Sequence, residues 1–220
     1  MRTPKILTTA TACTLLLLAG CGGDGGDRAA AFTTQIFSDP ALDGDIQQTD
    51  PTSFVVTQGM SATVQSVFAG IDPGTQTEFR AFLTFPLTGS NGVPLDARID
   101  SAFLELFVDD LQPQAAHLPL LIELVSFQPP TLLASDYDRT AQPALAAIHV
   151  TPPIAAGDIG TLVPIDVTPL MVQAQRLGLA DFQIRIMEDL GPPIVGRMEI
   201  DDTTGSNRSQ VGPLLTVTYF

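Results

Sequence analysis

The chain contains few basic residues, few aromatic residues and few thiols. Its 220 residues include one lysine, two histidines, two cysteines, two tyrosines and no tryptophan. Ten Lys and Arg residues face 24 Asp and Glu residues, and the formal net charge is −14. This deficit of cations excludes nucleic-acid binding through a basic surface. The lack of apolar stretches of about 20 residues excludes a protein with several membrane spans. A hydrophobic content of 45% excludes a disordered chain.

The first 20 residues have the pattern of a signal peptide. Arg2 and Lys5 give the segment a positive start, and the apolar run at 10–19 is too short to span a bilayer. The sequence Leu-Ala-Gly-Cys at 18–21 resembles a bacterial lipobox, in which the cysteine thiol is acylated before cleavage. An ordinary secretory signal with a cysteine beside its cleavage site is the alternative. The sequence therefore predicts a lipoprotein signal peptide at 1–20 and lipidation of Cys21.

Lipidation of Cys21 has consequences for the rest of the chain. Cys13 would leave with the signal peptide, so no thiol would remain for a disulfide bond, a zinc site or a nucleophile. Residues 21–32 are rich in Gly and Asp and are expected to form a flexible tether, followed by one domain at 33–220. Eight arginines would then face 24 acidic residues, a formal charge of −16.

The lipid anchor also predicts a location. We expect the protein in the cell envelope, attached to a membrane by its acyl chains, since two or three chains anchor a protein stably. Gly22 follows the cysteine. In Gram-negative lipoproteins an aspartate at that position favours retention in the inner membrane, so Gly22 favours the outer membrane if the source is such a cell.

The remainder of the chain consists of short apolar or alternating runs separated by turn residues. Eighteen prolines and eighteen glycines interrupt these runs. Many short strands with regular turns are typical of an all-β sandwich or barrel. The predicted strands lie at 53–58, 62–69, 78–87, 97–108, 118–127, 162–167, 181–188, 195–200 and 214–219.

One short helix is predicted between Thr168 and Gly178. Thr168 suits the N-cap, a proline suits the first helical position, and Gly178 suits the stop. The face expected to be buried carries Leu170, Ala174 and Leu177.

Alternation along the strand at 97–108 assigns its two faces. Ala102, Leu104, Leu106 and Val108 are expected to lie in the core. The other face carries Phe103, Glu105 and Phe107. Its two phenylalanines are explained in one of two ways: a neighbouring loop or strand covers them, or they line an exposed groove in which a ligand stacks. These three residues are the candidate ligand face.

Four sequences occur in a characteristic order: RAFLTF at 80–85, ARIDSAFLEL at 97–106, IDVTPL at 165–170 and PLLTVTY at 213–219. This order resembles the DNRLRE domain and related jelly-roll carbohydrate-binding modules, and the resemblance covers about 53–220. It implies a jelly-roll-type β-sandwich with one short helix. The DNRLRE string itself is absent, as are the tryptophans that such domains often carry, so no site residue is transferred from the family.

Aspartates in turn-rich segments are candidate ligands for a structural Ca²⁺, because carboxylate oxygens are the ligands that Ca²⁺ prefers. None has the spacing of an EF-hand, and solubility of an exported domain explains them without any cofactor. The candidates are Asp136 and Asp138, which flank Tyr137, and Asp201 and Asp202, which follow a strand; Asp39, Asp43 and Asp45 lie in another Pro- and Gly-containing segment.

Catalysis is not expected. His117 and His149 form no spaced metal motif, and no G-x-S-x-G nucleophile sequence occurs. Carboxylate pairs of the kind that glycosidases use arise by chance in so acidic a chain.

Two functions remain open. The first is a non-catalytic binding module of the cell envelope, with polysaccharide as its ligand; Phe103, Phe107 and Tyr137 are then the candidates for contact with a sugar. The alternative is a structural or protein-binding envelope lipoprotein without a small-molecule ligand. That alternative predicts an exposed apolar patch or an open edge strand.

Overall fold

A computed structural model describes residues 30–113, 117–127 and 130–220. The predicted signal peptide, the lipidation site Cys21 and most of the predicted tether lie outside these residues. Strands make up 47% of the described residues and helices 11%, so the all-β prediction is confirmed. Among the described residues, no helix is long and apolar enough to cross a membrane.

The described residues form fourteen strands, two α-helices and two 3₁₀ turns. The strands are β1 (Phe32–Phe37), β2 (Gly44–Asp50), β3 (Ser53–Gln58), β4 (Ser66–Ile71), β5 (Glu78–Pro86), β6 (Ile99–Gln112), β7 (His117–Leu118), β8 (Leu120–Val125), β9 (Ala146–His149), β10 (Ile154–Ala155), β11 (Leu162–Asp166), β12 (Asp181–Glu188), β13 (Gly196–Asp201) and β14 (Leu214–Tyr219). The helices are α1 (Thr168–Leu177) and α2 (Arg208–Val211), and the 3₁₀ turns are Ala134–Tyr137 and Ala156–Asp158.

Twelve of the strands belong to one large, curled, antiparallel sheet. β14 pairs with β1 and with β6, and β11 pairs with the other edge of β6. β6 continues past these strands and pairs with β13, which pairs in turn with β4. β5 pairs with β4, β2 and β12, and β12 leads to β8 and β9, while β3 adds to β2. Strands β7 and β10 form a separate pair.

The main core follows the alternation of the strands. As predicted, alternate residues of β6 are buried: Ala102, Leu104, Leu106 and Val108 are all at most 1% exposed. A smaller second core brings Leu132 and Tyr137, from the segment between β8 and β9, against apolar residues of β2, β5 and β8. That segment therefore packs on one face of the sheet.

Helix α1 confirms the predicted helix, with two corrections. Val167 is the N-cap and Thr168 is already helical, whereas Gly178 ends the helix with φ = 62° as expected. Leu170 and Ala174 are buried, but Leu177 is 47% exposed. Met171 is buried in the core instead of Leu177, because the buried residues of α1 all lie in its first two turns and Leu177 lies in its last turn.

Candidate functional site

A cleft of about 420 Å³ lies beside β2, β4 and β13. Three cross-strand pairs build it: Asp45 opposite Thr57, Gln47 opposite Phe79, and Glu199 opposite Phe68. Residues directly opposite each other in a ladder point to the same side of it. We call this cavity the Asp45 cleft, and its lining residues are Asp45, Gln47, Thr57, Thr63, Val64, Gln65, Ser66, Phe68, Phe79 and Glu199.

The aromatic part of the Asp45 cleft is a pair of phenylalanines. The ring centroids of Phe68 and Phe79 are 5.7 Å apart, with 59° between the ring planes. The guanidinium of Arg197 lies 4.8 Å from the centroid of Phe68 and 5.6 Å from that of Phe79. Its Nη1 donates to Asp72 Oδ2 at 2.7 Å. Arg197 is therefore held at the ring pair by an ion pair outside the cleft.

The carboxyl group of Asp45 lies deep in the cleft. The residue is only 3% exposed, and burial raises its pKa from the ordinary 3.8 to about 7. A hydrogen bond with the backbone of Phe68 and the charge of Arg197 lower this pKa, but they do not offset the loss of water. Within the described part of the chain, no basic side chain forms an ion pair with Asp45.

The lining has the chemistry of a site for a small polar ligand. It presents two carboxylates, two amides, three hydroxyls and two aromatic rings, and it contains no Lys, Arg or His. Ligand sites are typically clefts of about 300–1,000 Å³ with apolar walls and a few polar groups that fix the ligand's orientation. The Asp45 cleft has this size and this mixture.

A second groove, of about 370 Å³, lies around Tyr137. The guanidinium of Arg80 stacks 3.7 Å from the centre of the Tyr137 ring, and the Tyr137 hydroxyl donates to Glu78 Oε2 at 2.6 Å. Burial and the neighbouring Glu78 raise the pKa of this hydroxyl. Phe54 lies 5.0 Å from the ring. Tyr137, a candidate for sugar contact, is thus 6% exposed and bound to its own chain.

The predicted ligand face lies on the outer side of β6. Phe103 is 41% exposed, and Glu105 and Phe107 are partly exposed. β14 and β11 flank these residues without burying Phe103. They line neither the Asp45 cleft nor the Tyr137 groove.

Three of the candidate Ca²⁺ ligands stabilise local turns. Asp136 Oδ2 accepts from the Leu133 amide, and Asp138 Oδ1 accepts from the Thr140 amide, both at 2.7 Å. Asp201 Oδ1 accepts from the amide of Thr203 at 2.8 Å. Across the ranges that the structure describes, no three His, Cys, Asp or Glu side chains come together as a metal-binding group.

The fourth candidate, Asp202, belongs to a buried polar cluster. Arg208 Nη1 donates to Asp202 Oδ1 at 2.7 Å, and Arg208 Nη2 donates to the carbonyl of Ser38 at 2.7 Å. Asp43 lies beside Asp202, and the Thr84 amide donates to Asp43 Oδ1 at 2.7 Å. Both aspartates are fully buried.

Sequence reasoning named Asp45 only as one of several loop aspartates and did not identify Phe68, Phe79 or Glu199. A comparison of the chain with protein-family models gives no match, and a comparison with curated proteins gives none either.

Proposed function

We propose that this protein is an exported, membrane-anchored lipoprotein that acts as a non-catalytic binding module of the cell envelope. In this proposal the curled sheet is a jelly-roll-type β-sandwich, and a glycan binds in the Asp45 cleft. The observation that carries the proposal is the lining of that cleft, which combines an aromatic pair with seven hydrogen-bonding side chains.

The cleft offers both kinds of contact that a sugar requires. A sugar ring has hydroxyl groups that donate and accept, and it has an apolar face of C–H groups. Carboxylates such as Glu199 accept from hydroxyls, and amides such as Gln47 both donate and accept. Phe68 and Phe79 provide apolar surface for the C–H face. Polar groups spaced along a lined cleft fix the orientation of a ligand, and orientation gives specificity.

The lipid anchor rests on the sequence around Cys21. Replacing Cys21 with Ser should release the protein from the membrane fraction and abolish incorporation of labelled palmitate, because the acylated sulfur is removed. Mass spectrometry of the wild-type protein should show a chain that begins at an acylated Cys21. Recovery of an unprocessed leader on a cytosolic protein would contradict this part of the proposal.

Glycan binding is tested with the mature lipoprotein in a non-ionic detergent. A glycan array followed by isothermal titration should identify an oligosaccharide that binds at millimolar concentration or better. Gln47→Ala should weaken binding at least fivefold, whereas Gln35→Ala, at an exposed position of β1 outside the cleft, should leave it unchanged. Failure to retain any glycan at millimolar concentration would overturn the glycan proposal.

An exposed apolar surface supports the second candidate, a protein-binding lipoprotein. On the outer face of β1, β14, β6 and β11, Phe37 is 39% exposed, Phe103 41% and Leu162 44%. Leu214 of β14 pairs with Phe37 of β1 on one side and with Glu105 of β6 on the other, so it belongs to the same face. Exposed apolar patches mark protein contacts when they exceed what a monomer normally shows. Cross-linking in membranes, compared between wild type and Phe103→Gln, tests this alternative.

A further inference from the structure

We propose that the Asp45 cleft selects sugars that carry a free amino group, binding that group in its ammonium form. This inference rests on the proposed function and narrows its ligand from glycans in general to amino sugars. It is carried by the buried carboxyl of Asp45, the carboxylate of Glu199 and the ring pair of Phe68 and Phe79, which all line one cavity.

The negative charge in the cleft lacks an ionic partner there. Asp45 is only 3% exposed, and none of the ten lining residues is basic. A buried carboxylate without a counter-charge is costly, so a cation that enters the cleft gains the interaction that the protein does not supply. Glu199, opposite Phe68 at the cleft wall, adds a second acceptor. A neutral ligand would supply no positive charge to either carboxyl group.

The ring pair already accepts a cation from the chain itself. Arg197 stacks on Phe68 and Phe79 from outside the cleft, and its charge is balanced by Asp72. An ammonium group near an aromatic face is attracted by the negative face of the ring, and more strongly where water is excluded.

The charged groups around the cleft are Asp45, Glu199, Arg197 with its partner Asp72, Asp110, which lies opposite Glu199 on β6, and Asp201, which lies opposite Ser66 of the lining. These are five carboxyl groups and one guanidinium, and the balance favours a cationic ligand. The formal charge of −16 on the mature chain acts in the same direction, since it raises the local concentration of cations.

Proton release provides a signature of the proposed contact. With a pKa of about 7, Asp45 is half protonated at pH 7 in the free protein. An ammonium ion at the carboxylate lowers this pKa, so a cation that is already fully protonated in solution at pH 7 should make Asp45 release up to about half a proton per site. The amino group of glucosamine is partly neutral at pH 7 and takes up a proton when it binds as the ammonium ion, so its net proton release is smaller. A sugar that binds without contact to Asp45 releases none.

The experiment titrates the full mature lipoprotein, in non-ionic detergent at pH 7, with three probes. These are a glucosamine oligosaccharide, its N-acetylated counterpart, and spermidine as an ammonium compound without a sugar. The glucosamine oligosaccharide should bind at least tenfold more tightly than the N-acetylated one. Its proton exchange, measured in buffers of different ionisation enthalpy, should shift from release towards uptake in Asp45→Asn. Asp45→Asn should remove that preference. Asp100→Asn, at an exposed position of β6, is the matched control and should have no effect.

Four outcomes would count against the inference, each in a distinct way. Equal binding of the free and N-acetylated oligosaccharides would overturn the ammonium preference and leave glycan binding in place. Binding of spermidine alone would support ammonium recognition and overturn the assignment to a sugar. An equal loss in Asp100→Asn and Asp45→Asn would show general charge attraction and overturn the site. Binding of none of the three probes, together with an empty glycan array, would overturn the proposed function itself.

Discussion

Glu123 and Arg185 lie directly opposite each other on β8 and β12 and form an ion pair that is fully buried. Both nitrogens Nε and Nη2 of Arg185 donate to Glu123 Oε2, at 2.8 and 2.6 Å. Arg139 Nε donates to the other carboxylate oxygen at 2.7 Å. Arg185 Nη1 also donates to the carbonyl of Asp136 at 2.7 Å. The pair therefore attaches the segment between β8 and β9 to the sheet.

Removal of one member of this pair should be strongly destabilising. Glu123→Gln leaves the guanidinium of Arg185 buried without a counter-charge, which costs about 3–5 kcal/mol. The double replacement Glu123→Leu with Arg185→Met removes both charges of the pair. It should therefore recover much of the free energy of unfolding that Glu123→Gln loses. Urea unfolding followed by circular dichroism measures both. Arg176→Gln, at an exposed position in α1, is the control and should change stability by less than about 0.5 kcal/mol. Equal losses in the single and double variants would contradict this account.

The buried pair Asp43 and Asp202 predicts an unusual dependence of stability on pH. Burial and the charge of Asp202 raise the pKa of Asp43 well above its ordinary value. The folded state therefore keeps a proton that the unfolded chain has lost, and the free energy of unfolding should fall as pH rises from about 4 through the folded pKa. Asp43→Asn should flatten this fall, because an amide stays neutral at every pH. Asp202→Asn should instead destabilise the protein at all pH values, because Arg208 loses its ion pair.

Urea unfolding between pH 4 and 9 distinguishes these outcomes. A wild-type profile that rises steadily from pH 4 to pH 8 would show that neither buried carboxyl retains its proton. The carboxyl of Asp45, with a pKa of about 7, should also lower the free energy of unfolding as the pH rises, and this contribution ends near pH 7. Asp45→Asn combined with Asp43→Asn therefore should remove most of the slope.

Gly70 lies between Arg197 and Phe79 in the sheet, and its missing side chain lets the guanidinium of Arg197 approach the ring. Its φ of +104° is unfavourable for other residues, and an added Cβ would lie 2.2 Å from the carbonyl oxygen of Gly196. Gly70→Ala should cost about 2–5 kcal/mol from backbone strain and overpacking together. Gly157→Ala, where an added Cβ has no atom within 4 Å, should change stability by less than about 1 kcal/mol. Thermal unfolding of the two variants compares them; similar melting temperatures would contradict the prediction.

The strands with the clearest alternation were predictable from the sequence. β3, β12 and β14 have the predicted bounds, and β6 differs by two residues at its start and four at its end. In β6 and β14 the core accepts one face, so the local pattern carries the information. β12 is buried on both faces, and no residue of β3 is buried. In β14 the local pattern gives Leu215 and Val217 inside and Thr216 and Thr218 partly exposed.

The strands β1, β2, β7, β9 and β10 were not predicted. β2 is the informative case, because its sequence Gly-Asp-Ile-Gln-Gln-Thr-Asp is that of a polar loop. It forms a strand because β3 and β5 pair with both of its edges. The Asp45 cleft was missed for the same reason: Phe68 meets Glu199 only through the pairing of β4 with β13, and no local pattern encodes that distant contact.

Adjacent residues on β6 provide a test of the two faces and of the alternative function. Leu104 is fully buried in the main core, so Leu104→Ala should cost about 2–5 kcal/mol. Phe103→Gln changes the outer face, where the ring is 41% exposed, and should cost less than about 1 kcal/mol. Because Phe103 lies outside the Asp45 cleft, this variant should also bind sugars as the wild type does. Urea unfolding and titration measure the two effects; loss of sugar binding in Phe103→Gln with stability intact would place the ligand on the outer face of β6 instead.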